Sequence, residues 1–375
     1  MQPDARRVLF LQVANPAAYP PTLHAAELMA DAGWRVTLLA APIRGDALSM
    51  TGSPHVELKA IAERPSHVIG RGAWLSYVAA AAGLALQRRP HVIYASDPLS
   101  AGAALAAAQL SGARLVYHEH DSPAAGASRR WVDALRRHAA ARAELVVLPN
   151  AERAAVVGAY LGVAEKTVTV WNLPTRRELP RLDAAPRERL ELYYHGNISP
   201  ELLPETVVHA IACLGRPARL RIVGYEAPGA RGYIRRLVEL GARSPALVEY
   251  AGEVSRGDLL SQATSADVGL ALMPASGVNF NLRHLVGASN KAFDYMAAGQ
   301  ALLVSDLPEW RQTFEATGYA RACDPTDPAA LSEALTWFAD HPEERRAMGL
   351  RGRARIERDW NYDTAFAPIL ARLSA

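Results

Sequence analysis

Cysteine is nearly missing from this chain. Cys213 and Cys323 are the only two in 375 residues, and they lie far apart. A disulfide framework and a cysteine-based zinc site are both excluded. Lysine is almost as scarce. Lys59, Lys166 and Lys291 are the only three, and arginine supplies the rest of the 41 basic side chains. The formal net charge of +3 is close to balance. A nucleic-acid binder would carry a dense basic stripe, so no nucleic-acid partner is expected. No run of ~20 apolar residues occurs, and the nearest candidates, 77–86 and 99–110, are mostly alanine. Arg6 and Arg7 followed by Val8, Leu9, Phe10 and Leu11 imitate a signal peptide. Gln12 breaks that run, Asn15 and Pro16 end it, and no small-residue cleavage site follows. The reading is a buried first strand in a cytoplasmic protein. Two nucleotide fingerprints are missing as well. Gly70 and Gly72 begin a G-x-G-x-x-G pattern, but Leu75 stands at the third glycine, and no G-x-x-x-x-G-K-[ST] occurs. No D-x-D pair follows a strand either, so a metal-bridged diphosphate site of that kind is not expected.

What is there looks globular. Half of the residues are hydrophobic and 21% are charged, and at ~100–200 residues per domain the length suits two domains. Short apolar runs at 7–13, 35–40, 91–95, 114–117 and 144–148 read as strands, with helical stretches at 22–33, 99–110 and 129–142 between them. Continuous apolar strands alternating with helices mean a parallel sheet covered on both faces. The pattern pauses over 173–189, which is rich in proline and charge, and then restarts with strands at 190–194, 219–223, 247–250, 268–272 and 301–304. The fold class is therefore α/β, with two doubly wound, Rossmann-like domains facing across a cleft. The expected boundaries are 1–172, a linker at 173–189, a second domain at 190–355, and a terminal helix at 356–375 that returns toward the first domain. Ligands of such sheets bind beyond the carboxyl ends of the strands, and the unusual residues lie there.

The sequence HEHD at 118–121 directly follows the strand at 114–117. Three readings stay open for it: two imidazoles of an H-x-H metal site, an imidazole oriented by a neighbouring carboxylate, or a polar loop without chemistry. The stretch SNKAFDYMAAG at 289–299 follows the strand at 268–272 and a glycine-containing loop. Ser289 and Asn290 suit an N-cap and Gly299 a helix stop. Exposed N–H groups near 290–292, together with the charge of Lys291, would attract an anion. Asp294, one turn beyond Asn290, is placed to accept ribose hydroxyls. A solvated surface helix is the plain alternative.

These stretches resemble the donor-binding signature of GT-B glycosyltransferases, in the retaining, family-4-like group. The segment SNKAFDYMAAGQALLVSDLPEW at 289–310 carries the likeness. Further matches follow in order: YYHGN at 193–197 resembles the glycine turn opening the second domain, RIVG at 221–224 the strand before the base pocket, and VEYAGEV at 248–254 the segment whose backbone reads the base. The pair His120 and Asp121 fits the family's cleft-facing histidine. The resemblance implies a retaining, metal-independent transfer of a sugar from a nucleoside diphosphate to a polysaccharide, lipid or small-molecule acceptor. The donor would be a UDP- or GDP-sugar, with no further cofactor. His120 and Lys291 are implied as catalytic. Gly196, Asn197, Gly224, Val254, Arg256, Ser276, Gly277, Ser289, Asn290, Lys291 and Asp294 are implied as donor-binding. The chain departs from the family where Asn197 replaces an arginine after the turn and where Val286 replaces the first of two glutamates. An epimerase or hydrolase on the same fold, and a nucleotide-binding protein without turnover, are the alternatives. The segment 64–78, with Trp74, Leu75, Tyr77 and Val78 between basic residues, leaves open a peripheral contact with the inner face of a membrane.

Overall fold

The computed structural model describes residues 5–16, 19–41, 56–61, 69–122, 129–182, 187–227, 229–243, 247–274 and 280–375. The strands are β1 (Arg7–Gln12), β2 (Arg35–Ala40), β3 (Val56–Ala60), β4 (Val92–Ala95), β5 (Arg114–His118), β6 (Leu145–Leu148), β7 (Thr167–Thr169), β8 (Leu190–Ile198), β9 (Ala218–Glu226), β10 (Leu247–Tyr250), β11 (Val268–Ala271), β12 (Ala301–Ser305) and β13 (Ala320–Cys323). The helices of the first half are α1 (Pro20–Asp31), α2 (Arg71–Arg88), α3 (Ala101–Ser111), α4 (Arg130–Arg142) and α5 (Ala151–Leu161). The second half carries α6 (Thr206–Ala212), α7 (Tyr233–Ala242), α8 (Arg256–Ala263), α9 (Phe280–Arg283), α10 (Lys291–Ala297), α11 (Pro308–Trp310), α12 (Pro328–Asp340), α13 (Pro342–Arg358) and α14 (Tyr362–Ser374).

The chain divides into two compact units. Met1–Asn172 with Tyr362–Ala375 form one, and Leu173–Asn361 the other. The first holds a seven-stranded sheet in the order β3-β2-β1-β4-β5-β6-β7, the second a six-stranded sheet in the order β10-β9-β8-β11-β12-β13. Every pairing is parallel. The central strands are buried on both faces, as their unbroken apolar sequences demand: Leu9, Phe10, Ile93, Val116, Val146, Leu192, Leu270 and Leu303 have no exposure. In each sheet the order reverses beside the first strand of its unit, between β1 and β4 and between β8 and β11. Those switch points are where a crevice forms.

Several elements differ from the sequence reading. Helix α1 starts two residues earlier than expected, because Pro20 and Pro21 fill its first turn, where a missing N–H loses nothing. Strands β3, β7 and β13 escaped notice. The first two are short and only partly buried, so they lack a continuous apolar run. Strand β13 carries Arg321 in its four residues. Strand β8 runs past the expected end through Gly196 to Ile198. The terminal helix is two helices, α13 and α14, broken over 359–361. The segment expected to be a linker is tied into the second unit: Arg176 donates to the carbonyls of Glu357 and Arg358 at 3.5 and 3.4 Å.

Candidate active site

In the second unit, β8 and β9 lie in register so that Gly196 faces Gly224. Both have positive φ, 97° and 128°, and a Cβ on Gly224 would run into the backbone of Gly196. Only glycine fits there, and the two strand ends are left without side chains. Lys291, the first residue of α10 and half-buried, reaches into this gap. A Cβ on Gly196 would lie 3.4 Å from Lys291 Nζ, and the ammonium also sits over the Tyr194 ring at 5.3 Å. Burial pushes the Lys291 amine down to about 8, with Asp294 pulling the other way. Gly196, Gly224 and Lys291 therefore come together at the ends of β8 and β9, beside the switch point of the second sheet.

Helix α10 is held from below by Tyr295. Its ring rests on Gly269 in β11, where no Cβ fits, and its hydroxyl accepts from the His195 backbone N–H at 3.0 Å. The expected anion-binding helix terminus needs correction. Helix α10 has only seven residues, and Asn290 makes no side-chain cap. Ser289 Oγ accepts from the Lys291 N–H at a long 3.4 Å. The positive charge at this position is that of Lys291, with little helix behind it.

Asp294 is the larger correction. It has no exposure, and both of its oxygens accept from Arg256, at 2.6 and 2.7 Å. His195 Nε2 lies 3.4 Å from Oδ2. Burial works against ionisation of Asp294, but Arg256 and His195 keep it below the usual carboxylate range. Paired and without exposure, the carboxylate does not face a ribose in this state. Arg256 is likewise committed, since its Nε donates to Glu178 at 2.9 Å, so it is not a diphosphate cation here. Val254 is half-buried just ahead of Ser255, whose hydroxyl caps α8. The Oδ1 of Asn197 is buried without a hydrogen bond, and its carbonyl accepts from the Tyr194 hydroxyl at 2.5 Å. Ser276 and Gly277 lie outside the described residues.

In the first unit, each residue of HEHD is engaged. His118 Nδ1 meets the Tyr94 hydroxyl at 2.9 Å. Glu119 takes two bonds from Arg136 at 2.7 and 2.5 Å and one from Tyr117 at 2.7 Å. His120 Nε2 meets Thr22 Oγ1 at 3.1 Å. Arg153 donates to the His120 carbonyl at 2.7 Å and lies 3.6 Å from Asp121. His120 is only 4% exposed, and burial pushes its imidazole down to about 3, assisted by Arg153. This is a buried, neutral histidine. Its Nδ1 is buried without a hydrogen bond. Among the described residues no three His, Cys, Asp or Glu side chains converge as a metal site would require. Sequence reasoning gave no role to Thr22, Arg136, Arg153 and Glu178, which reach these sites from other elements and carry no local signal, or to His195, which lies within YYHGN beside Gly196.

The aromatics of 70–78 also point inward. Trp74 Nε1 donates to the Leu99 carbonyl at 3.0 Å, and Tyr77 is fully buried with its hydroxyl on the Leu39 carbonyl. No helix among the described residues is long and apolar enough to cross a membrane.

Comparison with known proteins bears on the whole chain. Residues 20–173 match a glycosyl transferase 4-like domain, and residues 204–371 a glycosyl transferase-like domain. Among curated proteins, none matches in sequence. Among solved structures, sucrose-phosphate synthase from Thermosynechococcus elongatus superposes with a TM-score of 0.74 at 19% identity, covering 98% of this chain and 97% of its own. Anabaena HepE in complex with UDP and glucose gives 0.73 at 16% identity, with 99% and 100% covered. WaaG, a glycosyltransferase involved in lipopolysaccharide biosynthesis, gives 0.66 at 15%, with 98% and 100% covered. At such identities the superpositions speak for the fold, which is GT-B. The two domain matches together span most of the chain and agree with that fold, and this chain belongs to the family-4-like glycosyltransferases.

Proposed function

We propose that the protein transfers a sugar from a nucleoside diphosphate to a hydroxyl acceptor with retention and without a metal ion. The observation that carries this is Lys291 Nζ beside the side-chain-free Gly196–Gly224 turn. Negative charge grows on the departing diphosphate, and a cation already held in place stabilises that transition state more than the ground state. Backbone N–H groups at a glycine turn can approach phosphate closely. His120 is assigned no proton transfer, being neutral and bonded to Thr22; its Nδ1 is the atom offered to a substrate hydroxyl. HepE is seen with UDP and with UDP-glucose, so UDP- and GDP-sugars are the first donors to try. Incubation with each, with and without glycoside acceptors, and NMR of the product's anomeric proton test the reading. An inverted product removes retention, activity lost to a chelator removes metal independence, and failure to bind either UDP or GDP removes the donor site.

We also propose that the protein acts in the cytoplasm on a lipid-linked or polysaccharide acceptor, touching the membrane through α2. Its outer face carries Leu75 and Leu86, 60% and 56% exposed. Ala79 and Ala82 fall between them at helical spacing, and Arg71 and Arg89 flank the stripe. Arginines beside an apolar stripe suit an anionic interface. Cosedimentation with anionic vesicles, lost in Leu75→Ser/Leu86→Ser, is the expected result. Equal sedimentation of the variant and the parent sinks it.

A further inference from the structure

Helix α10 is strapped at its middle and at its C-terminal end to the segment that opens the second unit. At the middle Arg256 is held between two carboxylates, Asp294 of α10 and Glu178 of that segment. At the C-terminal end, Arg353 donates both to the carbonyl of Ala297, the last residue of α10, and to that of Pro180 at 3.0 Å. Glu178 divides its oxygens. Oε1 accepts from Arg256, and Oε2 accepts from the N–H and hydroxyl of Thr175 at 2.8 and 3.2 Å. That second set closes a one-turn capping box, so the carboxylate is fixed in the segment before it grips the arginine. Asp294 has no exposure and thus no water to replace a lost partner. A buried carboxylate whose guanidinium shifts must shift with it.

We propose that Glu178 is a positioning residue of the donor pocket. Through Arg256 it fixes Asp294, and through Asp294 it sets Lys291 and His195 against the Gly196 turn. Glu178 lies in a stretch whose sequence reads as a plain linker, and it touches no ligand in this scheme. Its consequence for nucleotides rests on the function proposed above; its consequence for Lys291 does not.

The chain's three lysines make the test direct. Protein grown with carbon-13 lysine is titrated by NMR. Lys59, 2.8 Å from Glu57, and Lys166, bonded to the carbonyls of Ala141 and Ala143, are internal controls. In Glu178→Ala the Lys291 signal is expected to move and its midpoint to change by about half a pH unit or more, while the controls stay put. Calorimetry is expected to give about tenfold or greater weakening of UDP and GDP, as for other remote mispositioning. Glu178→Gln, which keeps an oxygen for Arg256 Nε, should recover most of both effects. An unmoved Lys291 signal in Glu178→Ala overturns the proposal even if the nucleotides bind the parent protein. A moved signal in a protein that binds neither UDP nor GDP upholds the positioning and defeats the nucleotide reading instead. Should Glu178→Ala not fold, Glu178→Asp decides. It keeps the charge but draws the carboxylate one methylene back from Arg256, so a moved Lys291 signal supports the proposal and an unmoved one overturns it.

Discussion

Lys291 shows how far one residue can be read. Its type and its place after a strand and a loop mark it as an anion ligand, and the structure adds the depth that tunes it. Lys291→Ala is expected to weaken nucleoside diphosphates by about 1.5–3 kcal/mol, the range for charged hydrogen bonds, and to leave the bare nucleosides almost unchanged. Equal losses for both in calorimetry contradict the phosphate contact. Because burial brings the amine down to about 8, its charge is present below that pH and lost above it. Diphosphate affinity should fall as pH rises through 8 in the parent protein and stay flat in the variant. His120 is marked by its burial. Its folded value of about 3 lies below the ordinary 6.5 of a free imidazole, so the unfolded chain binds the proton first. Stability from this residue is intact above 6.5 and is lost as pH falls toward 3. Thermal melts should show that loss in the parent and less of it in His120→Gln. His120→Gln should also lower the melting temperature at pH 7, since a buried contact with Thr22 is disturbed; an unchanged value would show that this contact adds nothing to the stability of the fold.

At the level of elements, strand and helix were legible wherever burial is two-sided. β4 and β6 are unbroken apolar runs, and β1 and β12 carry polar residues only at their ends, because helices cover both faces of the sheet. Strands β3 and β7 lie at the sheet edges, and short edge strands mix polar residues freely. Helix α10 was legible as a helix, but its support was not. Tyr295 packs closely against Gly269, a contact between two elements that neither sequence announces. Gly269→Ala inserts a methyl into that ring, and overpacking of this kind costs about 1–3 kcal/mol. Denaturant melts should show it, together with weaker nucleotide binding as Tyr295 lets go of the His195 N–H. A variant of parental stability means the ring has room to move, and the support assigned to it is wrong.

On the scale of the molecule, the last helix belongs to the first unit. Helix α14 packs Tyr362 edge-on to His24 at 5.2 Å and Phe366 beside Tyr94 at 6.4 Å. Arg114 of β5 holds the carbonyls of Arg372 and Leu373 at 3.0 and 3.1 Å. Ending the chain after Arg358 should therefore unfold the first unit preferentially. Limited proteolysis with mass spectrometry is expected to cut within 5–172 and spare 190–355. Cuts concentrated in the second unit instead would place the stabilising role of α14 elsewhere.

The sequence by itself determined the α/β class, the two sheets, the pause between them and the family. Each of these follows from local periodicity or from a contiguous motif, and both survive reading one residue at a time. It also marked Gly196, Gly224 and Lys291, because a glycine turn and a cation after a strand keep their chemistry in any α/β setting. Only the tertiary structure decided what Asp294, Arg256 and His120 are bonded to. Their roles depend on partners 38 residues or more away, on the side chain that reaches a buried carboxylate, and on whether water can. A charged residue reads the same on paper whether solvent or an arginine faces it, and burial alone separates a ligand from a brace.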